Sequence, residues 1–179
     1  GPTNALTYPN ILEQKLQARY GEERIEVINA GVWASNSYTE LGRLDRYLKL
    51  EPDLVLHCNF VNDVTNFMPA WIEADRADQP WKDWLTQSHF IYRYGNALLQ
   101  PDGEAVARGI EENTLSPLGD LARGLVAGGA EVAFASFPAP DFDALSSEEQ
   151  DYFDHVIDTM MWGRTINMAN YCAVVDRYN

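Results

Sequence analysis

A chain of 179 residues that is 46% apolar and 22% charged is long enough for one domain with a real hydrophobic core and too apolar for a disordered tail. Thirteen basic residues against 27 acidic ones leave a net charge of −14, a field that repels phosphate backbones and anionic lipid surfaces. No run of about 18 apolar residues is present to span a membrane, and Gly1-Pro2-Thr3-Asn4 offers neither the basic nor the apolar region of a secretion signal.

Helical and strand-like periods alternate along the chain. Thr7-Tyr8-Pro9 opens a helix, Ile11, Leu12, Leu16 and Tyr20 form its apolar stripe, and Gly21 caps it. Ile25-Glu26-Val27-Ile28 reads as a short strand that ends at Asn29-Ala30-Gly31. After the loop Trp33-Ala34-Ser35-Asn36, the sequence Ser37-Tyr38-Thr39-Glu40 has the Ser-x-x-Glu capping-box pattern, and Leu41, Leu44 and Leu48 carry that helix on to Glu51-Pro52-Asp53. Leu54 to Phe60 reads as a strand buried on both faces. Residues 64–100, with Phe67, Trp71, Trp81, Trp84, Phe90, Tyr92 and Tyr94, read as an irregular, aromatic-rich helical insertion whose rings form a core or a sugar-stacking platform. Ser116-Pro117 starts a helix through Leu118, Leu121, Leu125 and Val126 that stops at Gly128-Gly129. Glu131 to Ser136 is the next strand, a long helix runs from about Ser146 to Asn170, and Cys172 to Asp176 closes the order as a last strand. This alternation predicts a parallel sheet covered by helices on both faces, in a single domain over residues 1–179.

Cys58 and Cys172 fall in two of these strands. Two places apart in one sheet they would lie about 9 to 10 Å from each other, beyond disulfide reach, so both read as buried free thiols. No Cys or His cluster has metal-ligand spacing, and Asp141 and Asp143 read as a solvated loop. In parallel α/β sheets, chemistry collects at the carboxyl ends of the strands. Here those ends are rich in Asn and Asp, above all from Asn59 to Asn66. A local Ser-His-Asp triad is not expected. Ser37 reads as a helix N-cap, His57 as a satisfied core histidine, His155 as the i, i+4 partner of Asp151, and His89 as part of the insertion; Ser35 and Ser136 complete the set of serines considered.

Two of the strand-end stretches are familiar. Val27-Ile28-Asn29-Ala30-Gly31-Val32-Trp33-Ala34-Ser35 is similar to the second conserved block of the SGNH (GDSL-type) hydrolases, and Pro52-Asp53-Leu54-Val55-Leu56 with Phe60-Val61-Asn62-Asp63-Val64 resembles their third, Gly-x-Asn-Asp. Thr7 to Glu13 looks like the helix after their nucleophile loop, and Ala173 to Tyr178 like the strand before their last block. The resemblance implies a flavodoxin-like three-layer α/β/α fold and hydrolysis of carboxylic esters, such as acyl or acetyl groups on a sugar, lipid or small molecule, without a cofactor. It makes the Asn62 side chain and the Ala34 backbone N–H donors of the oxyanion hole, with Gly31, Trp33 and Asp63 on the substrate side. Asp63 would hold its loop by accepting backbone N–H bonds. Ala34 stands where the family has Gly, and Phe60 also replaces a Gly. Gly-Asp-Ser and Asp-x-x-His are not among the 179 residues. The expectation is therefore that the nucleophile, the base and the first strand of the sheet lie outside this segment, which alone is inactive. The rival expectation is a non-catalytic α/β binding or assembly module that retains the scaffold only. On residue type alone, Asn62 with Asp63 and Asn66 also suits a capped turn.

Overall fold

A computed structural model describes residues 7–21, 24–59, 62–63, 79–86, 88, 90, 103–136, 141, 144–159, 172 and 175–179. The chain divides into two compact units, Gly1–Trp33 and Ala34–Asn179.

In the first unit, helix α1 (Tyr8–Tyr20) begins after Thr7 in extended conformation with Pro9 in its first turn, and ends on Gly21. Gly21 takes a φ of 102°, and its N–H donates to the Gln17 carbonyl at 2.8 Å. Every residue of α1 is at least partly exposed, Ile11 and Tyr20 of the expected stripe included. The strand expected over residues 25–28 is absent from the sheet among the described residues. Side chains of α1 take the place of a strand partner there. Gln17 Nε2 donates to the Ile25 carbonyl at 2.9 Å, and the Val27 N–H donates to Glu13 Oε1 at 3.0 Å. Backbone polar groups need partners, and two of this segment's are met from a helix.

The second unit is built on one parallel strand–helix–strand crossover. Strand β1 (Leu54–His57) pairs with β2 (Glu131–Phe134) in the register Leu54↔Glu131, Val55↔Val132, Leu56↔Ala133, His57↔Phe134. Before β1 come two short helices, α2 (Ser37–Leu41) and α3 (Leu44–Leu48), where the leucine spacing predicts one continuous helix; the chain turns at Gly42-Arg43. Between the strands lie α4 (Pro80–Thr86), α5 (Gly103–Ile110) and α6 (Ser116–Ala127), and after β2 comes α7 (Ser147–Thr159). A π-helical segment, Glu111–Leu115, joins α5 to α6, with the Ser116 N–H reaching back five residues to the Glu111 carbonyl. The helix over Ser116–Ala127 stops at Gly128-Gly129 as the sequence predicts. Helix α7 starts at its acidic end, where Ser146 Oγ donates to Glu149 Oε2 at 2.7 Å; residues 160–170 of the expected helix lie outside the described residues.

The core sits between α6 and one face of the sheet. Leu118, Leu121, Leu125 and Ala130 are buried, and Leu41, Leu44, Tyr47, Leu48, Val55, Val132 and Tyr178 pack against them. Each fully buried leucine contributes roughly 1.5–3 kcal/mol of transfer free energy. Helix α3 approaches α6 closely because Gly124 and Gly128 have no side chain. A Cβ on Gly124 would meet Leu44, and one on Gly128 would meet Leu48.

Four expectations are corrected here. β1 is not buried on both faces: Val55 points into the core, whereas Leu54 and Leu56 are about half exposed. Alternation along a strand sends these two leucines to the face opposite α6. Cys172 is not in a strand but in a helical position, residues 175–178 are helical too, and the Asn179 N–H donates to the Val175 carbonyl at 2.9 Å. A short apolar run such as Cys172 to Val175 fits a buried helix turn as well as a strand. Both cysteines are free, but Cys58 is exposed, because it lies just past the end of β1; Cys172 is buried. Of the aromatic insertion, residues 64–78 and 91–100 lie outside the described residues, and with them Phe67, Trp71, Tyr92 and Tyr94. Trp81 and Trp84 on α4 and Phe90 are more than half exposed, so these three rings are not core.

Candidate functional site

Just past the carboxyl end of β1 stands Asn59, and further along the chain Asn62 and Asp63 are in helical conformation. These residues meet the loop that enters α2. The carboxamide nitrogens of Asn59 and Asn62 each donate to the Ser35 carbonyl at 2.8 Å. Ser35 itself is 4% exposed, and its hydroxyl accepts from Arg43 Nη1 at 2.7 Å and lies 3.0 Å from Thr39 Oγ1. Two peptide planes before that carbonyl is the N–H of Ala34. Ala34 has a φ of 58°, the left-handed region that glycine occupies without cost and an L side chain enters at about 1 kcal/mol or more. Ala34→Gly is accordingly expected to be neutral or to raise stability by up to about 1 kcal/mol, read by urea unfolding; a loss of 1 kcal/mol would mean that the methyl group packs.

Asp63 anchors the same loop from the other side. It is 2% exposed, and its Oδ1 accepts the Ser37 N–H at 2.8 Å. Burial pushes its carboxyl up to about 6; the bonding to Ser37 opposes the rise and the nearby Glu40 adds to it. Among the described residues, Asp63 Oδ2 and the fully buried Ser37 Oγ have no hydrogen-bond partner. Glu40 is itself buried, accepts from the Tyr47 hydroxyl and lies 3.9 Å from Arg43 Nη1. Burial first, and then Glu40, push the Tyr47 phenol up to about 12. Tyr178 has its hydroxyl 3.5 Å from the Asn59 carbonyl, and burial, with Asp63 and Cys58 nearby, holds its phenol at about 12. The two phenols are neutral at pH 7.

Two side chains here depart from their sequence reading. The N-cap of α2 is Asn36, not Ser37: Asn36 Oδ1 accepts the Thr39 N–H at 2.8 Å and Thr39 Oγ1 accepts the Asn36 N–H at 2.9 Å. The capping box thus starts one residue early, which turns Ser37 and Glu40 inward. His57 is not a satisfied core histidine. Both its ring nitrogens are buried, and among the described residues neither has a hydrogen-bond partner. Its ring rests 5.4 Å from that of Phe134, its register partner on β2. Burial lowers the imidazole pKa, against an opposing pull from Glu40.

The other candidates are placed as follows. Gly31 and Trp33 belong to the first unit, where the Gly31 N–H donates to Asn29 Oδ1 at 3.2 Å and Trp33 is 96% exposed. His155, Asp151, Ser136 and Asp141 are exposed, while His89, Phe60, Asn66 and Asp143 lie outside the described residues. Among the described residues no group of three or more His, Cys, Asp or Glu could hold a metal ion. Sequence reasoning missed Asn59 as a side-chain donor, Arg43, and the Glu40–Tyr47 pair. The signal for the last was present: Glu40, Arg43 and Tyr47 are spaced three and four apart, on one helical face. No family model, no curated protein and no solved structure matches this chain.

Proposed function

We propose that this chain is the scaffold and oxyanion-binding part of an SGNH-type ester hydrolase, acting on an acyl or acetyl ester of a small molecule or glycan. The Ser nucleophile and His base come from sequence outside these 179 residues, and the β1–β2 pair belongs to a larger three-layer, flavodoxin-like sheet. In this reading the serine oxygen attacks the ester carbonyl and passes its proton to the histidine. The carbonyl oxygen then carries negative charge between the Ala34 N–H and the Asn62 carboxamide. Collapse expels the alcohol, which takes the proton from the histidine, and water releases the acid by the same steps in turn.

The observation that carries the reading is the 2.8 Å contact of Asn62 with Ser35, which keeps the side-chain donor within two peptide planes of the backbone donor. A carboxamide nitrogen has two hydrogens; one holds Ser35, and the half-buried position of Asn62 leaves the other for an acceptor from solvent. A fluorophosphonate serine probe, with hydrolysis of a small acetyl ester in parallel, tests the proposal. The 179-residue chain alone is expected to be unlabelled and inactive, and the longer protein labelled and active. Stoichiometric labelling of the short chain would place the nucleophile inside it, and an unlabelled longer protein would leave a scaffold without chemistry.

A further inference from the structure

Ser35 is held more heavily than a loop residue requires. Both lone pairs of its carbonyl oxygen are taken, one by Asn59 and one by Asn62, and its hydroxyl is taken by Arg43 and Thr39. The two carboxamides are not equivalent. Asn59 follows β1 by two residues, and its own carbonyl lies 3.5 Å from the Tyr178 hydroxyl; Asn62 stands three residues further on, beside the Asp63 anchor.

We infer that Asn59 is a positioning residue of the oxyanion site: it keeps the Ser35 carbonyl in place when the Asn62 carboxamide turns toward a developing negative charge. This deepens the esterase reading and rests on it. The physical reason is competition between acceptors. An oxyanion accepts a hydrogen bond about twice as strongly as a neutral amide carbonyl, so in the transition state the bond it takes from the second Asn62 hydrogen pulls the carboxamide over and loosens the first, to Ser35. With the Ser35 carbonyl held by Asn62 alone, that pull would let the carbonyl move, and with it the Ala34 N–H two peptide planes before it, although the Ser35 hydroxyl and the Ser37 N–H stay anchored. Asn59 separates the two tasks. A ground-state ester makes no such demand, so the effect belongs to kcat and not to KM.

The test uses the longer active protein and a small acetyl ester. Asn59→Ala and the isosteric Asn59→Asp, neither of which can donate to Ser35, are expected to lower kcat about 10-fold with KM within about twofold, since displacement by about 1 Å can cost up to 100-fold. Asn59→Gln keeps an N–H donor and is expected to recover part of the loss. Combined with Asn62→Ala, Asn59→Ala is expected to cost at least the factor it costs alone, because the Ser35 carbonyl then has neither carboxamide and the Ala34 N–H loses its positioning. A kcat equal to wild type in folded Asn59→Asp, or no further loss from Asn59→Ala in the Asn62→Ala background, would overturn the inference and leave the esterase reading standing. A wild-type protein without ester turnover removes both.

Discussion

Under the proposed esterase reading, Asn62→Ala is expected to lower kcat on a small acetyl ester by about 100-fold or more, with little change in KM, in the longer protein that reading requires. Removing one donor from an oxyanion hole costs about 10²–10³ in rate, because the bond is made at full strength only as charge develops on the carbonyl oxygen. The cost in stability is expected to be near 1 kcal/mol, the net value of an ordinary hydrogen bond. Asn59 still holds the Ser35 carbonyl at 2.8 Å, and Asp63 still holds the Ser37 N–H, so the loop keeps two of its anchors. The measurement pairs steady-state kinetics, normalised to the fluorophosphonate-reactive fraction, with thermal unfolding. A rate equal to wild type in a folded variant would remove Asn62 from the chemistry and leave it as a structural tie between β1 and α2. Loss of rate and of fold together would be read through Asn62→Asp, which keeps the shape, carries no N–H, and places a negative charge where the oxyanion would form.

How far the sequence led differs from element to element. Helix α6 was legible because Leu118, Leu121 and Leu125 repeat at three and four and two glycines end the run. β1 and β2 were legible as short apolar runs after turn residues, and their parallel direction followed from the alternation of helices and strands; that they are neighbours came from the structure. Residues 25–28 have the same local character, but a strand exists only where a neighbour accepts its backbone, and here Gln17 and Glu13 supply two of the partners. Cys172 to Val175 had no period to separate helix from strand. At the candidate site, the order of Asn62 and Asp63 after a strand singled out this loop, and the structure brings these two residues against Ser35 and Ser37. The burial of Glu40 was not read because the sequence offers it as the capping partner of Ser37, whereas the Asn36–Thr39 box starts α2 one residue earlier and leaves Glu40 buried against Tyr47. Asn59 carried no signal of its own, because its role depends on a carbonyl 24 residues away.

Asp63 is a buried carboxyl whose pKa is raised by burial, and Asp63→Asn is expected to change the shape of the stability–pH curve. Burial raises the Asp63 pKa from 3.8 to about 6, so the folded chain holds the proton more tightly than the unfolded chain does. Its contribution to stability is therefore fully present below pH 3.8 and is lost as pH rises through about 6, a loss on the order of 2 to 3 kcal/mol. Asparagine has no proton to lose, and its Oδ1 can still accept the Ser37 N–H. The variant is thus expected to match wild type near pH 4 and to exceed it above pH 7. His57 acts in the opposite direction: its lowered pKa gives a contribution present above pH 6.5 and lost as pH falls. Glu40 faces both groups from α2, and Tyr178 faces Asp63 from the C-terminal turn. Because His57, Glu40 and Tyr178 are unchanged in the variant, subtracting the two curves leaves Asp63 together with its couplings to Glu40 and Tyr178. Urea unfolding of both proteins at unit steps from pH 4 to 8, with m-values compared, measures that difference. Parallel curves would show that the Asp63 carboxylate is as well solvated in the folded chain as in the unfolded one, and its bond to Ser37 would then be an ordinary surface cap.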